Sequence, residues 1–290
     1  MKLKQLSIAL GLGLACSAPA MALTVTASTD GTAMANSLLS AGSGITISNV
    51  TYIGGATQGG FFTGAAGAIG IDEGIILTSG DALLAPGPNT NDGVTGGFGT
   101  GSDADLNAIS GGSTNDKNVL EFDFTTTTGD LFFSYVFASE EYNEFVGDFN
   151  DPFAFFLNGV NIAIVPGTTD PVTVNNVSCG DPYNPPLGGN NCALFNNNDP
   201  SDSGPFFDIQ YDGFTDVFVA SATGLGAGTH HIKLAIADAL DSSLDSAVFI
   251  KAGSFSSTDP DDNNDVPEPI SLALLGIGIA GLAASRYRKA

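Results

Sequence analysis

Tryptophan is absent from this chain, histidine occurs twice, and eight basic residues stand against thirty-one carboxylates. Each scarcity excludes something. Without tryptophan, the usual flat platform for stacking a sugar ring is missing. His230 and His231 are adjacent, which rules out a histidine-rich metal motif, and on a strand they point to opposite faces. No Gly-x-Ser-x-Gly elbow is present. Five of the basic residues, Lys2, Lys4, Arg286, Arg288 and Lys289, lie in the terminal segments. Between Leu23 and Asp265 only Lys117, Lys233 and Lys251 face thirty carboxylates, a formal charge of −27. Such a body repels nucleic acid and anionic lipid headgroups and attracts divalent cations.

Cysteine is scarce too. Cys16 falls in an N-terminal stretch built as a secretory signal peptide: Lys2 and Lys4, an apolar run over Leu6–Ala15, and a small-x-small cleavage site at Ala20-Met21-Ala22. Gly13 stands where a lipoprotein signal carries leucine, so lipidation of Cys16 is not expected. Cleavage after Ala22 leaves Cys179 and Cys192, and an even pair in an exported chain predicts a disulfide. No second Cys or His pair accompanies them, so they do not read as a zinc site.

What the chain has is short, turn-bounded apolar segments. A short helix is predicted over Ala33–Ser40, and strands over Ile45–Val50, Ile75–Ser79, Val119–Phe124, Leu131–Ala138, Ile232–Ile236 and Ser246–Ala252. Leu120, Phe122 and Phe124 alternate with Glu121 and Asp123, a half-buried pattern. Leu131–Ala138 is apolar on both faces, as a central strand would be. Asn158-Gly159 predicts a hairpin between Phe153–Leu157 and Val160–Val165. Residues 81–102 are rich in Gly, Pro and Asn and predict a long loop. Its Gly96-Gly-Phe-Gly-Thr-Gly has no following lysine and is no phosphate loop. Together these predict an all-β fold: a jelly-roll-like β-sandwich body with long loops, preceded by the signal helix and followed by one hydrophobic helix. The expected divisions are a signal peptide over 1–22, a β domain over 23–258, an acidic linker over 259–265 and a sorting or anchor segment over 266–290.

Three blocks carry a resemblance: Phe133-Ser-Tyr-Val-Phe-Ala-Ser-Glu-Glu-Tyr-Asn-Glu-Phe, Asn150-Asp-Pro-Phe-Ala-Phe-Phe-Leu and Asn161-Ile-Ala-Ile-Val-Pro-Gly-Thr. They are similar to the choice-of-anchor L domain of bacterial surface proteins. Tyr211-Asp-Gly-Phe-Thr, His231-Ile-Lys-Leu-Ala-Ile-Ala-Asp and Asp245-Ser-Ala-Val-Phe resemble that family's closing half, so the likeness runs from about Leu38 to Phe255. It implies an exported domain of undefined activity, found beside different wall or membrane anchors.

Beyond the linker come Val266-Pro-Glu-Pro, an apolar run over Ile270–Ala284 and a basic Arg286-Tyr-Arg-Lys end. As a helix the 15-residue run spans about 22 Å, short of the roughly 30 Å hydrocarbon core. The basic end should stay cytoplasmic and the body outside. A plain anchor is one reading. The three-part order resembles a PEP-CTERM sorting signal, with Pro267, Glu268 and Pro269 as its motif. That resemblance implies export through the Sec machinery, a transient stay in the inner membrane, and cutting by an exosortase. The address is the surface or extracellular matrix of a Gram-negative bacterium that makes exopolysaccharide.

Two chemistries are open to the carboxylates. Hard cations want several oxygens gathered on turns. Glu140, Glu141, Asp148, Asn150 and Asp151 offer one such set and Asp103 and Asp105 another, so calcium is the expected cofactor, if any; the alternative is a solvated acidic edge. Neither set fits a twelve-residue EF-hand loop. A glycan-processing hydrolase using Glu140 and Glu144 is the second function considered. The reading favoured by the residues is a non-enzymatic structural or adhesive surface protein, with exosortase and exopolysaccharide as its expected partners and no nucleic-acid role.

Overall fold

The computed structural model describes residues 22–127, 129–181 and 189–260. The expected signal helix, most of the acidic linker and the hydrophobic C-terminal helix lie outside the described residues. Among the described residues no helix is long and apolar enough to cross a membrane.

The elements run β1 (Thr24–Ala27), α1 (Gly31–Ser37), β2 (Thr46–Ile53), β3 (Gly59–Thr63), α2 (Ala66–Ile69), β4 (Glu73–Thr78), α3 (Ala104–Ser110), β5 (Thr114–Thr125) and β6 (Leu131–Ser139). Then follow β7 (Phe153–Leu157), β8 (Val160–Asn161), β9 (Phe195–Asn197), β10 (Gly213–Thr215), β11 (Phe218–Ala222), β12 (Thr229–Ala239) and β13 (Ser246–Lys251). They form two antiparallel sheets. One is 8-stranded in the order β1-β3-β4-β13-β6-β10-β9, with β11 also on β6, and the other is 5-stranded in the order β2-β5-β12-β7-β8. The sheets face each other as a sandwich, which is the predicted fold class.

Alternation along each strand explains the layers. Phe133, Tyr135 and Phe137 of β6, Val248 and Ile250 of β13, and Ile232, Leu234 and Ile236 of β12 fill the space between the sheets. Phe122, Phe124, Phe153 and Phe155 join the β12 residues in packing from the five-stranded sheet. The opposite faces of β6 and β13, with Val136, Ala138, Ala247 and Phe249, are covered by a second apolar cluster that includes Ile69, Ala82, Ile209 and Tyr211. This is why β6 is apolar on both faces. Helix α3 lays Leu106 over Val119, Ala154, Ala235 and Ala237 on the outside of the smaller sheet.

The predicted helix and strands form, with shifted ends. The first helix starts two residues earlier than expected, because Asp30 caps it by accepting from the Ala33 N–H at 2.9 Å. Residues 81–102 are irregular apart from a short turn at Ala82–Leu84. The Asn158-Gly159 turn forms with both residues at positive φ, 49° and 83°, but its second strand is short. The Asn161 side chain accepts from the Phe155 and Ala163 N–H groups and ends the ladder. Cys179 and Cys192 are bonded, with Cα atoms 4.4 Å apart. By loop entropy that closure stabilises the fold by about 3 kcal/mol.

Candidate metal centre

At one end of the sandwich the strand alternation runs out of apolar residues and continues in carboxylates. On the inter-sheet face, Ser139 and Glu141 follow Phe137, Asp238 follows Ile236, and Asp151 precedes Phe153. On the other face of the larger sheet, Glu140 follows Ala138, Asp245 precedes Ala247, and Asp212 precedes Phe214. The register of β12 against β5 shifts between Ile236 and Asp238, opposite Asp116 at φ 47°. A bulge there keeps Asp238 on the core face while β5 bends away. Side chains placed at core positions are buried whatever their chemistry, and these are.

The inner group centres on Asp151, which is fully buried. Its Oδ1 accepts from the Ala239 N–H at 2.8 Å and its Oδ2 from the Ser246 hydroxyl at 2.7 Å. Glu141 is 0% exposed and neither of its oxygens has a hydrogen-bond partner. Burial, then the neighbouring charges of Asp151, Asp241 and Glu144, push its carboxyl far above the usual range. Asp238 is likewise fully buried, with neither oxygen in good hydrogen-bonding geometry. Burial and Asp151 raise it, and the Ser79 hydroxyl offsets this only in part. Asp151 itself is raised to about 7, chiefly by burial.

The outer group lies across β6. Asp92, Glu144 and Asp199 each present a carboxylate oxygen within 4.8 Å of the other two. Asp199 Oδ1 accepts from the Ser201 N–H at 2.6 Å and from its hydroxyl at 2.7 Å, leaving Oδ2 buried and unbonded. Asp212 Oδ1 accepts from the Asn89 amide at 2.6 Å, and its Oδ2 is buried and unbonded too. Burial, and after it the charges of Asp199, Glu144 and Asp92, raise Asp212 to about 9. Glu140 stands behind this group, 1% exposed, with neither oxygen in good hydrogen-bonding geometry. Burial and Asp212 raise it well above the ordinary value, and the Val94 amide draws it back only partly. Asp245 is raised by burial to about 7. Gly80 packs so closely on its carboxylate that a Cβ there would occupy the same space.

Other expected site residues go elsewhere. Asp103 and Asp105 sit on the outside of the smaller sheet, where Lys233 Nζ lies 2.7 and 2.8 Å from their oxygens. Asp103 also caps α3. They are held by an internal cation and are not a second metal cluster. Asp148 is exposed, and Asn150 spends its oxygen on the Asn175 N–H at 3.0 Å. Of the expected set, Glu141 and Asp151 meet in the inner group, and Glu140 joins the outer group on the other face of β6. Asp92, Asp199, Asp212, Asp238, Asp241 and Asp245 join these groups from segments that do not stand out in the sequence. The signal available for several of them was a carboxylate in phase with core residues, as in Ile232-Lys-Leu-Ala-Ile-Ala-Asp238. The histidines are remote from the acidic end. His230 pairs with Asn158 at 3.1 Å and His231 with Asp123 at 2.9 Å, at the opposite end of β12.

Among the described residues, none of these apical carboxyls forms an ion pair. An all-oxygen donor set of this charge suits a hard cation. Glu140 lines a small cleft of about 160 Å³ with Asp81, Leu84, Val94, Tyr211 and Asp245, and is 1% exposed.

Fold and site together define an acidic, antiparallel β-sandwich domain whose carboxylates gather at one loop end. A family profile described as the choice-of-anchor L domain matches residues 24–256, and one described as the PEP-CTERM protein-sorting motif matches residues 265–289. The chain belongs to the choice-of-anchor L family. Its C-terminal motif makes it an exported, C-terminally sorted surface or extracellular protein of a Gram-negative bacterium, processed by an exosortase. No curated protein and no solved structure matches it.

Proposed function

We propose that the body is a structural, adhesive module of the extracellular matrix that associates with the producer's exopolysaccharide and catalyses no reaction. The observation that carries this reading is the charge: three lysines against thirty carboxylates on an exported, sorted chain. A body of that sign meets an acidic polysaccharide through bridging divalent cations, or else binds a neutral glycan. Burial speaks against the hydrolase reading, because Glu140, the expected partner of Glu144, is only 1% exposed.

The signal peptide is removed after Ala22, and the C-terminal segment holds the chain in the inner membrane only until the exosortase cuts near Pro267-Glu268-Pro269. Mass spectrometry of protein recovered from the cell surface should therefore find no peptide beyond about Pro269. Recovery of the intact Arg286–Ala290 tail would show a permanent anchor instead.

Adhesion is tested by co-sedimenting the exported protein with the producer's own exopolysaccharide, in calcium and in chelator. The expected result is pelleting in calcium that falls at least about tenfold in chelator, as a bridging-ion contact requires. Failure to pellet under both conditions would remove the polysaccharide from this reading.

A further inference from the structure

We propose that the acidic end of the sandwich is a calcium site, with Asp92, Glu144, Asp199 and Asp212 as its protein ligands. The inference stands apart from adhesion, since it concerns an ion held within one chain. Three carboxylate oxygens already lie within 4.8 Å of one another, close enough to share one ion with ligand distances of about 2.3–2.6 Å. A surface cluster of acids alone would mean little. Here the group is backed by two fully buried carboxylate oxygens with no hydrogen-bond partner, Oδ2 of Asp199 within the cluster and Oδ2 of Asp212 beside it. A buried carboxylate is ordinarily satisfied by a hydrogen bond, an opposite charge or a metal. Among the described residues no lysine pairs with these carboxylates, Lys117 of β5 included. Lys233 is committed to Asp103 and Asp105, and Lys251 lies at the far end of β13.

The donor chemistry selects the ion. The only described cysteines are joined in the disulfide and both histidines sit at the other end of β12, so nothing soft or nitrogenous is offered. Four carboxylates from separate loops suit the larger, geometrically tolerant calcium. Magnesium keeps most of its waters and takes one or two carboxylates.

Position indicates what the ion does. Asp92 lies in the 81–102 loop, Glu144 in the turn after β6, Asp199 in the loop after β9, and Asp212 at the start of β10. Calcium would fasten four segments distant in sequence. The polypeptide has begun that fastening: Asn143 donates to Asn197 and Asp202 at 3.1 and 2.8 Å, and Asn89 donates to Asp212.

The test uses the exported protein alone, without polysaccharide. Its thermal melt is followed in calcium, in magnesium and in chelator, and bound calcium is counted by equilibrium dialysis. At about 100 times the dissociation constant, a single native-state site should raise the melting temperature by roughly 5–10 °C over chelator. Dialysis should find at least one calcium per chain. Magnesium at equal concentration should give less than half the rise. The paired variant Glu144→Gln, Asp199→Asn should lose the calcium response while melting no lower than the natural protein in chelator, because it removes repelling charge. Equal melts in calcium and chelator with no calcium bound would overturn the proposal. So would a variant that is folded in chelator and keeps the full calcium response. If that variant does not fold, Asp212→Asn takes its place under the same criteria.

Discussion

Phe255→Ala should cost this domain about 3–5 kcal/mol of stability, the range for emptying the space of a fully buried phenylalanine. Phe255 lies past the last strand, yet it is 0% exposed and belongs to the main core. Its ring centroid stands 5.7 Å from Phe122, 5.4 Å from Phe124 and 5.4 Å from Phe133, edge-on to the first two and stacked on the third. Such pairs contribute roughly 0.5–1.5 kcal/mol each beyond burial. The backbone is held as well: the Phe255 N–H donates to Leu38 O at 2.8 Å, and its carbonyl accepts from the Ser40 N–H at 3.1 Å. The residue therefore pins the C-terminal end of the body against α1, immediately before the stretch that leads to the sorting motif. Urea denaturation of the natural protein and of Phe255→Ala measures the effect. Phe255→Leu, which keeps most of the volume, should lose clearly less. A loss under 1 kcal/mol for the alanine variant would mean that the terminal segment is not part of the cooperative core.

Lys233→Met should cost about 3 kcal/mol, the scale of breaking one partner out of a partly buried ion pair. Lys233 leaves the outer face of β12, passes over the Phe156 ring at 5.5 Å and reaches Asp103 and Asp105. The lysine and Asp103 side chains are only 14% and 10% exposed. Methionine keeps the packing against Phe156 and leaves Asp103 with only the α3 amides. The pH dependence has a definite sign. Burial alone would raise Asp103, but the Lys233 hydrogen bond and the Leu106 and Asp105 amides outweigh it and hold the carboxyl below its ordinary 3.8. Burial alone would lower Lys233, and Asp103 and Asp105 hold it above 10.5. A depressed carboxyl contributes stability that is full above the unfolded value and is lost as pH falls through the folded one. A raised amine contributes stability that is full below its unfolded value and is lost as pH rises through the folded one. The pair should thus contribute evenly between about pH 4 and pH 10 and lose strength outside that window. Melting curves against pH for both proteins should run parallel across neutral pH and converge on the acid side. A gap that widens toward acid would contradict the pairing.

The sandwich was legible because its strands carry their environment in their alternation. Val119–Phe124 announces one buried face, and Leu131–Ala138 two. The Asn158-Gly159 turn was legible from its need for positive φ. The short strands β9 and β10 were not, since three-residue segments contain too little periodicity to separate from loop. The glycine-bearing β3 was missed because Gly59 and Gly60 break the strand pattern. In the site, Glu140, Glu141 and Asp151 were found as neighbours in one acidic stretch. Asp103 and Asp105 looked equivalent to them in sequence, and only the chain's path across β12 brings Lys233 to that pair.

By itself the sequence determined the export address, the all-β class, the disulfide and the sign of the body's charge. These depend on composition and on spacings of a few residues, which act locally. The tertiary structure decided which carboxylates share a space. That choice gathers residues 92, 140, 144, 199, 212 and 245 on one face of the larger sheet and residues 141, 151 and 238 on the other. It rests on strand register and on where the alternation runs past the core, and both are set by long-range pairing between sheets. Coulomb interaction and desolvation depend on distance in space, so ordinary surface acids and a convergent buried cluster read the same along the chain.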